Sequence, residues 1–297
     1  MEKFLKILGL IFILLISGCS SRAPEFQVFI DRPLQSPLAL VRCGPNFFIA
    51  ENENATLRLF DGRGRHIRDI PGFDQIMDLT CANNIAYAAD FGADLIYKLD
   101  PDGKILARFG GSGRGPGKFG SPAGVAVGPN WNIYVSEFYN HRVQVLDARG
   151  RHVRFIGRKG KKPGEFHYPT GVFAGPDGRL HVADAYNNRI QIFRANGAFL
   201  GELSAKKYGW NVPTGAVYSE RLGHIIADGG NHRVVLADKK GRSRLLWKSD
   251  GLQKRTDKIH SPSRIFLDEA NGMLYIPDAL GNRVIRGKLL PGSGVKN

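Results

Sequence analysis

The chain repeats itself, and that constrains its fold more than any other feature. Residues 121–157 (SPAGVAVGPNWNIYVSEFYNHRVQVLDARGRHVRFIG), 168–203 and 212–247 align at once, and weaker copies occupy 36–70, 73–110 and 261–290. One acidic residue recurs in register in all six, at Glu51, Asp90, Glu137, Asp184, Asp228 and Asp278. Each unit holds short alternating β-rich runs, such as Ile133-Tyr134-Val135 and Val143-Gln144-Val145, separated by turn residues such as Gly175-Pro176-Asp177-Gly178. A four-stranded sheet of this kind cannot bury both faces alone, whereas six packed radially can, with only short edges left open. The expected fold is all-β: a six-bladed β-propeller of four-stranded antiparallel blades spanning residues 26–290. The last repeat holds only three strands before Pro291-Gly292-Ser293-Gly294, and Phe26-Gln27-Val28-Phe29-Ile30 is a lone strand ahead of blade 1. Pairing that strand with blade 6 closes the ring.

The segments resemble the NHL repeat family, whose hallmark is P-x-G-V-A-V followed by Y-V-A-D-x-x-N-x-R-I-Q-V-F. Blade 3 carries Asn140-His141-Arg142 and blade 5 Asn231-His232-Arg233. Blades 1 and 2 depart from the pattern, with Asn54 but Thr56 in place of Arg, and with Ala93 and Leu95. The set Glu137, Asn140, Arg142; Asp184, Asn187, Arg189; Asp228, Asn231, Arg233 superficially suggests chemistry. A device repeated in several blades is expected to be structural, because a catalytic site needs unique residues; the carboxylate can bind loop N–H groups while Arg pairs with it.

The N-terminus sets the expected compartment. Lys3 and Lys6 precede the apolar run 7–16, which is shorter than the ~20 residues that span a bilayer. Ile16-Ser17-Gly18-Cys19 resembles a bacterial lipobox. That resemblance implies a lipoprotein signal peptide at 1–18 and Cys19 as the acylated (diacylglyceryl and palmitate) mature N-terminus. It also implies outer-membrane sorting in a two-membrane cell, since Ser20 rather than Asp follows. Residues 19–25 form a short lipidated tether and 291–297 a C-terminal tail. An ordinary signal peptide with a chance cysteine is the alternative.

Charge then becomes informative. With 42 Lys+Arg against 27 Asp+Glu, the formal charge is +15, which suits nucleic acid, an anionic membrane surface or an acidic partner. Secretion removes nucleic acid from that list. In a four-stranded meander, the loops between second and third strands share one face with the interblade loops. That face collects Tyr139, His141, Tyr186 and His232, with Arg158, Lys159, Lys161 and Lys162, and is the expected binding surface. Its expected partners are an envelope protein, an anionic glycan or lipid head groups, for a monomer or a member of a hetero-complex. Merely solvated loops are the plain alternative.

No catalytic residue, metal ligand or cofactor is expected. Related propellers include an amidating lyase with zinc-binding histidines and lactonases with calcium. Here the axis-lining pairs Ala123-Gly124, Thr170-Gly171, Thr214-Gly215 and Ser263-Arg264 read as small or neutral, and the eight histidines lack metal-ligand spacing. Gly-rich 110–117 precedes no helix and makes a poor phosphate cradle. A metal-dependent lyase or hydrolase with an axial site, and a small-ligand sensor, remain the alternatives to a non-enzymatic binding scaffold. Cys43 and Cys81 occupy one register in blades 1 and 2 and form a candidate disulfide. Two buried thiols are slightly favoured, because equivalent positions in adjacent blades can exceed the ~7 Å Cα limit.

Overall fold

The computed structural model describes residues 26–30, 34–52, 55–238, 240, 242–248 and 262–289. The expected signal peptide, Cys19, the tether and the tail lie outside them. Six four-stranded antiparallel sheets form the blades of a propeller. Five are sequential meanders, and the sixth is built from Phe266–Asp268, Met273–Asp278, Arg283–Lys288 and the N-terminal strand Phe26–Ile30. Phe26 pairs with Gly287, Gln27 with Arg286 and Val28 with Ile285, so the ring is closed by the two ends of the domain.

The buried residues fall into six apolar clusters, one in each interface between adjacent blades. Alternating side chains of a strand point to opposite faces, and here both faces meet a neighbouring blade. Second strands are therefore buried along nearly all their length, as in Ile133–Glu137 and Leu180–Asp184, while the outer strand Ile105–Gly110 is largely exposed. The interface between blades 6 and 1 contains Ile30, Leu34, Phe47, Tyr275 and Val284. Phe29 adds edge contacts to Phe47 at 5.1 Å and Tyr275 at 5.2 Å.

The inner strands of blades 1 to 5 all begin with a β-bulge, between Pro37 and Ala39, Ile76 and Asp78, Pro122 and Gly124, Pro169 and Gly171, and Pro213 and Gly215. The bulge bends each strand where blades crowd the axis. Glycine at 124 is required there: a Cβ would lie 2.6 Å from Ser136 Oγ and 2.8 Å from the Thr170 carbonyl oxygen.

Cys43 and Cys81 are joined by a disulfide with Cα atoms 5.5 Å apart. This corrects the weighting toward free thiols. The strand registers match Cys43 with Ala82 rather than with Cys81, so the two cysteines lie one position out of register; their side chains leave opposite faces of adjacent blades and meet between them.

Candidate functional site

The acidic residue of every blade is fully buried. In blade 4, Asp184 accepts bonds from the His167 backbone N–H (2.7 Å), Asn187 Nδ2 (2.9 Å), Arg189 Nε (2.8 Å) and Gln191 Nε2 (3.0 Å). Burial pushes its pKa up, against those bonds. Glu137 is held by the same types of group: Gly120 N–H, Asn140, Arg142 and Gln144. Asp228 receives Asn211 N–H, Asn231 and Arg233. Asn140, Asn187 and Asn231 also donate to Gly113, Gly160 and Gly209, tying each second-to-third-strand loop to the preceding interblade loop. In blade 2, where Ala93 and Leu95 replace the Asn and Arg, Asp90 accepts from the backbone N–H groups of Asp74, Gln75 and Ala93. Their bonding makes these carboxylates loop organisers with their oxygens turned toward protein donors.

A second recurring device runs between blades. The last loop residue before each third strand has positive φ: Ala55, Asp94, His141, Asn188, His232 and Asn282. Asp94, His141, Asn188 and Asn282 accept a bond from the N–H just before the next inner strand, at Ser121 (2.6 Å), Tyr168 (3.1 Å), Val212 (2.7 Å) and Ser36 (3.0 Å). His141 thus does the work of an Asn side chain. It is only 8% exposed, and burial, Lys159, His167 and Arg114 hold its pKa below the usual imidazole value. It lies in the wall of the face rather than as the open anchor expected from sequence. His232 holds the equivalent position in blade 5 and is exposed. A column that reads Asp, His, Asn, His and Asn in blades 2 to 6 was the signal, since these residues tolerate the left-handed region.

Tyr139 and Tyr186 do come together. Tyr139 is 56% and Tyr186 55% exposed, and both are joined through Phe138 and Tyr168. Phe138 contacts Tyr139 at 5.1 Å and Tyr168 at 4.6 Å, and Tyr168 contacts Tyr186 at 4.9 Å. Phe91 extends the series from blade 2, 5.8 Å from Phe138, and His167 flanks it, 5.7 Å from Tyr186. Aromatic patches across three blades are not visible in one repeat, so Phe91, Phe138, His167 and Tyr168 escaped the sequence reading. Arg158, Lys159, Lys161 and Lys162 are exposed beside the patch; Arg158 pairs with Glu165 at 3.1 Å.

The axis is not lined by small and neutral residues alone. A central cavity of about 480 Å³ reaches from Asp78 and Arg264 to the turns at Pro129, Trp131 and Pro176, and all six inner strands contribute to it. Arg264 Nε is 3.8 Å from Asp78 Oδ1, and Arg264 Nη2 donates to the carbonyls of Ala123 and Thr170. Burial raises the Asp78 pKa to about 6 despite Arg264. This corrects the expectation of a small and neutral axial lining. Among the described residues no group of three or more His, Cys, Asp or Glu is placed to hold a metal ion.

The architecture is that of a six-bladed β-propeller, and NHL repeats match residues 119–146 and 166–193. Solved structures share the fold at low identity. A streptogramin B lyase superposes with TM-score 0.62 at 16% identity, over 92% of this chain and 90% of that one. An auxiliary nutrient binding protein from Bacteroides thetaiotaomicron has TM-score 0.66 at 11% identity, covering 89% and 76%. A protein of unknown function from the same bacterium has TM-score 0.69 at 14% identity, covering 89% and 72%. No protein of curated function matches the sequence.

Proposed function

We propose that the protein is a non-enzymatic binding propeller, anchored by lipid on Cys19 in the bacterial envelope, that docks an envelope partner on its aromatic loop face. The ring series Phe91–Phe138–Tyr139–Tyr168–Tyr186 carries the reading. Exposed tyrosines backed by packed rings supply rigid, amphipathic contact area, the chemistry of interface hot spots. The neighbouring cations steer an acidic partner. A fold neighbour described as a nutrient binding protein is compatible with this role.

Photo-crosslinking from position 186 in intact cells tests it. A discrete crosslinked species that Tyr139→Ala abolishes is expected. A diffuse pattern unchanged by that substitution would sink the proposal. Cys19→Ser should release the protein from the membrane fraction.

The axial cavity supports a second reading, a small-ligand sensor or an axial-site lyase. Its size lies in the range of small-molecule pockets, and fold neighbours include proteins described as a streptogramin B lyase and a virginiamycin B lyase. A ligand that raises the melting temperature in proportion to the logarithm of its concentration would favour it.

A further inference from the structure

The cations of the two faces are treated differently. On the strand-turn face, Arg65, Arg151 and Arg242 each close on an aspartate of their own turn, Asp61 (2.6 Å), Asp147 (2.7 Å) and Asp238 (2.7 Å). The same aspartates accept turn N–H bonds, as Asp147 does from Arg149 and Arg151. These three arginines are locally neutralised, while Arg63 and Arg149 keep two of the turns net positive.

On the loop face, a surface cleft of about 540 Å³ lies over blade 3, between Tyr139 and Phe155, with Arg114, Arg158 and Lys159 around it. Arg114 and Lys159 have no carboxylate partner among the described residues, and both act on His141 to depress its protonation. Glu137, the partner of the cleft residue Arg142, is fully buried and already accepts bonds from the Gly120 N–H, Arg142 and Gln144. A concave site lined by one sign of charge focuses the field and concentrates counter-ions.

Building on the reading of this face as the binding face, we propose that the blade 3 cleft is a subsite for an acidic polysaccharide, whose carboxylate or sulfate groups are held by Arg114 and Lys159 beside the Tyr139 ring. A single-stranded nucleic acid has the same charge but needs successive open rings for its bases. In the cleft, the Arg142 guanidinium lies 3.7 Å from the centroid of Phe155, which is 38% exposed, so Tyr139, at 56%, is the more open of the two rings. A charged chain without bases fits this arrangement better.

The test uses purified full-length protein with dextran sulfate, neutral dextran and a single-stranded oligonucleotide as probes. Dextran sulfate should bind saturably and salt-sensitively, and neutral dextran should not. Arg114→Glu with Lys159→Glu should weaken that binding by about tenfold or more, while the charge-matched pair Arg63→Glu with Arg149→Glu on the other face should weaken it less than about twofold. Equal losses in both pairs would reduce the effect to net charge and overturn the assignment. So would equal binding of neutral dextran, or a preference for the oligonucleotide. If the polyanion arm fails while the crosslink from position 186 survives Arg114→Glu, the binding face stands and only this subsite falls.

Discussion

Arg264 Nη2 donates to the carbonyl oxygens of Ala123 (2.9 Å) and Thr170 (2.8 Å), so one guanidinium in blade 6 holds the inner strands of blades 3 and 4. Its own backbone N–H bonds Leu38 of blade 1, and its counter-charge is Asp78 of blade 2. The pair occupies one column of the repeat, which reads Ala39, Asp78, Gly124, Gly171, Gly215, Arg264. The three glycines and the alanine leave the space through which the arginine reaches.

Removing Arg264 strands a buried carboxylate. Arg264→Met should cost about 3–5 kcal/mol in chemical denaturation, because breaking one side of a buried pair leaves the other uncompensated. Adding Asp78→Asn to that variant should recover part of the loss. An additive double variant would mean that the two groups do not act as a pair.

The disulfide closes a loop of sequence separation 38 between blades 1 and 2. Replacing both cysteines by alanine should lower stability by roughly 2–4 kcal/mol. Thermal unfolding with and without reductant should separate the wild type and leave the double alanine variant unaffected.

Ring closure makes the domain depend on its N-terminal strand. Phe29→Ala should cost on the order of 2–3 kcal/mol through the lost contacts to Phe47 and Tyr275. Deleting 26–31 should lower the melting temperature of the whole propeller further, and an unchanged transition would show that blade 6 stands without its fourth strand.

Acid should destabilise the fold through a buried histidine pair. His224 Nε2 lies 2.9 Å from His181 Nδ1. Burial, with His224 and Arg179 nearby, pulls the His181 pKa down to about 3, and burial pulls His224 down to about 4, partly opposed by Asp177. Both rings are neutral in the folded and unfolded states well above the ordinary value of 6.5. As pH falls below it, the unfolded chain takes up protons that the folded one refuses, so stability drops progressively until pH about 3–4. Asp78 works in the opposite sense, since its raised pKa favours the fold as pH falls from about 6 to 3.8. The histidine shifts are larger and should dominate. Denaturation midpoints between pH 7 and 4.5 should fall in the wild type and flatten in a His181→Gln, His224→Gln variant.

Repetition made the fold legible, because a device copied six times announces itself in register: the recurring acids, the short strands of each unit and the missing strand of blade 6 were all readable. The sequence also placed Tyr139 and Tyr186 on one face, since loop position follows from strand order. What it could not yield were relationships between different columns or different blades. His141 read as a surface ring because its role, accepting the Tyr168 N–H, exists only once blade 4 stands beside blade 3. The Asp78–Arg264 pair was hidden for the same reason: its members are 186 positions apart in sequence and meet only when the ring is closed. Local patterning determines which strands and turns form, because it acts through neighbours along the chain. Which charges cancel, which rings meet and which thiols bridge is decided by the packing of blades around the axis, where contacts depend on distance in space alone.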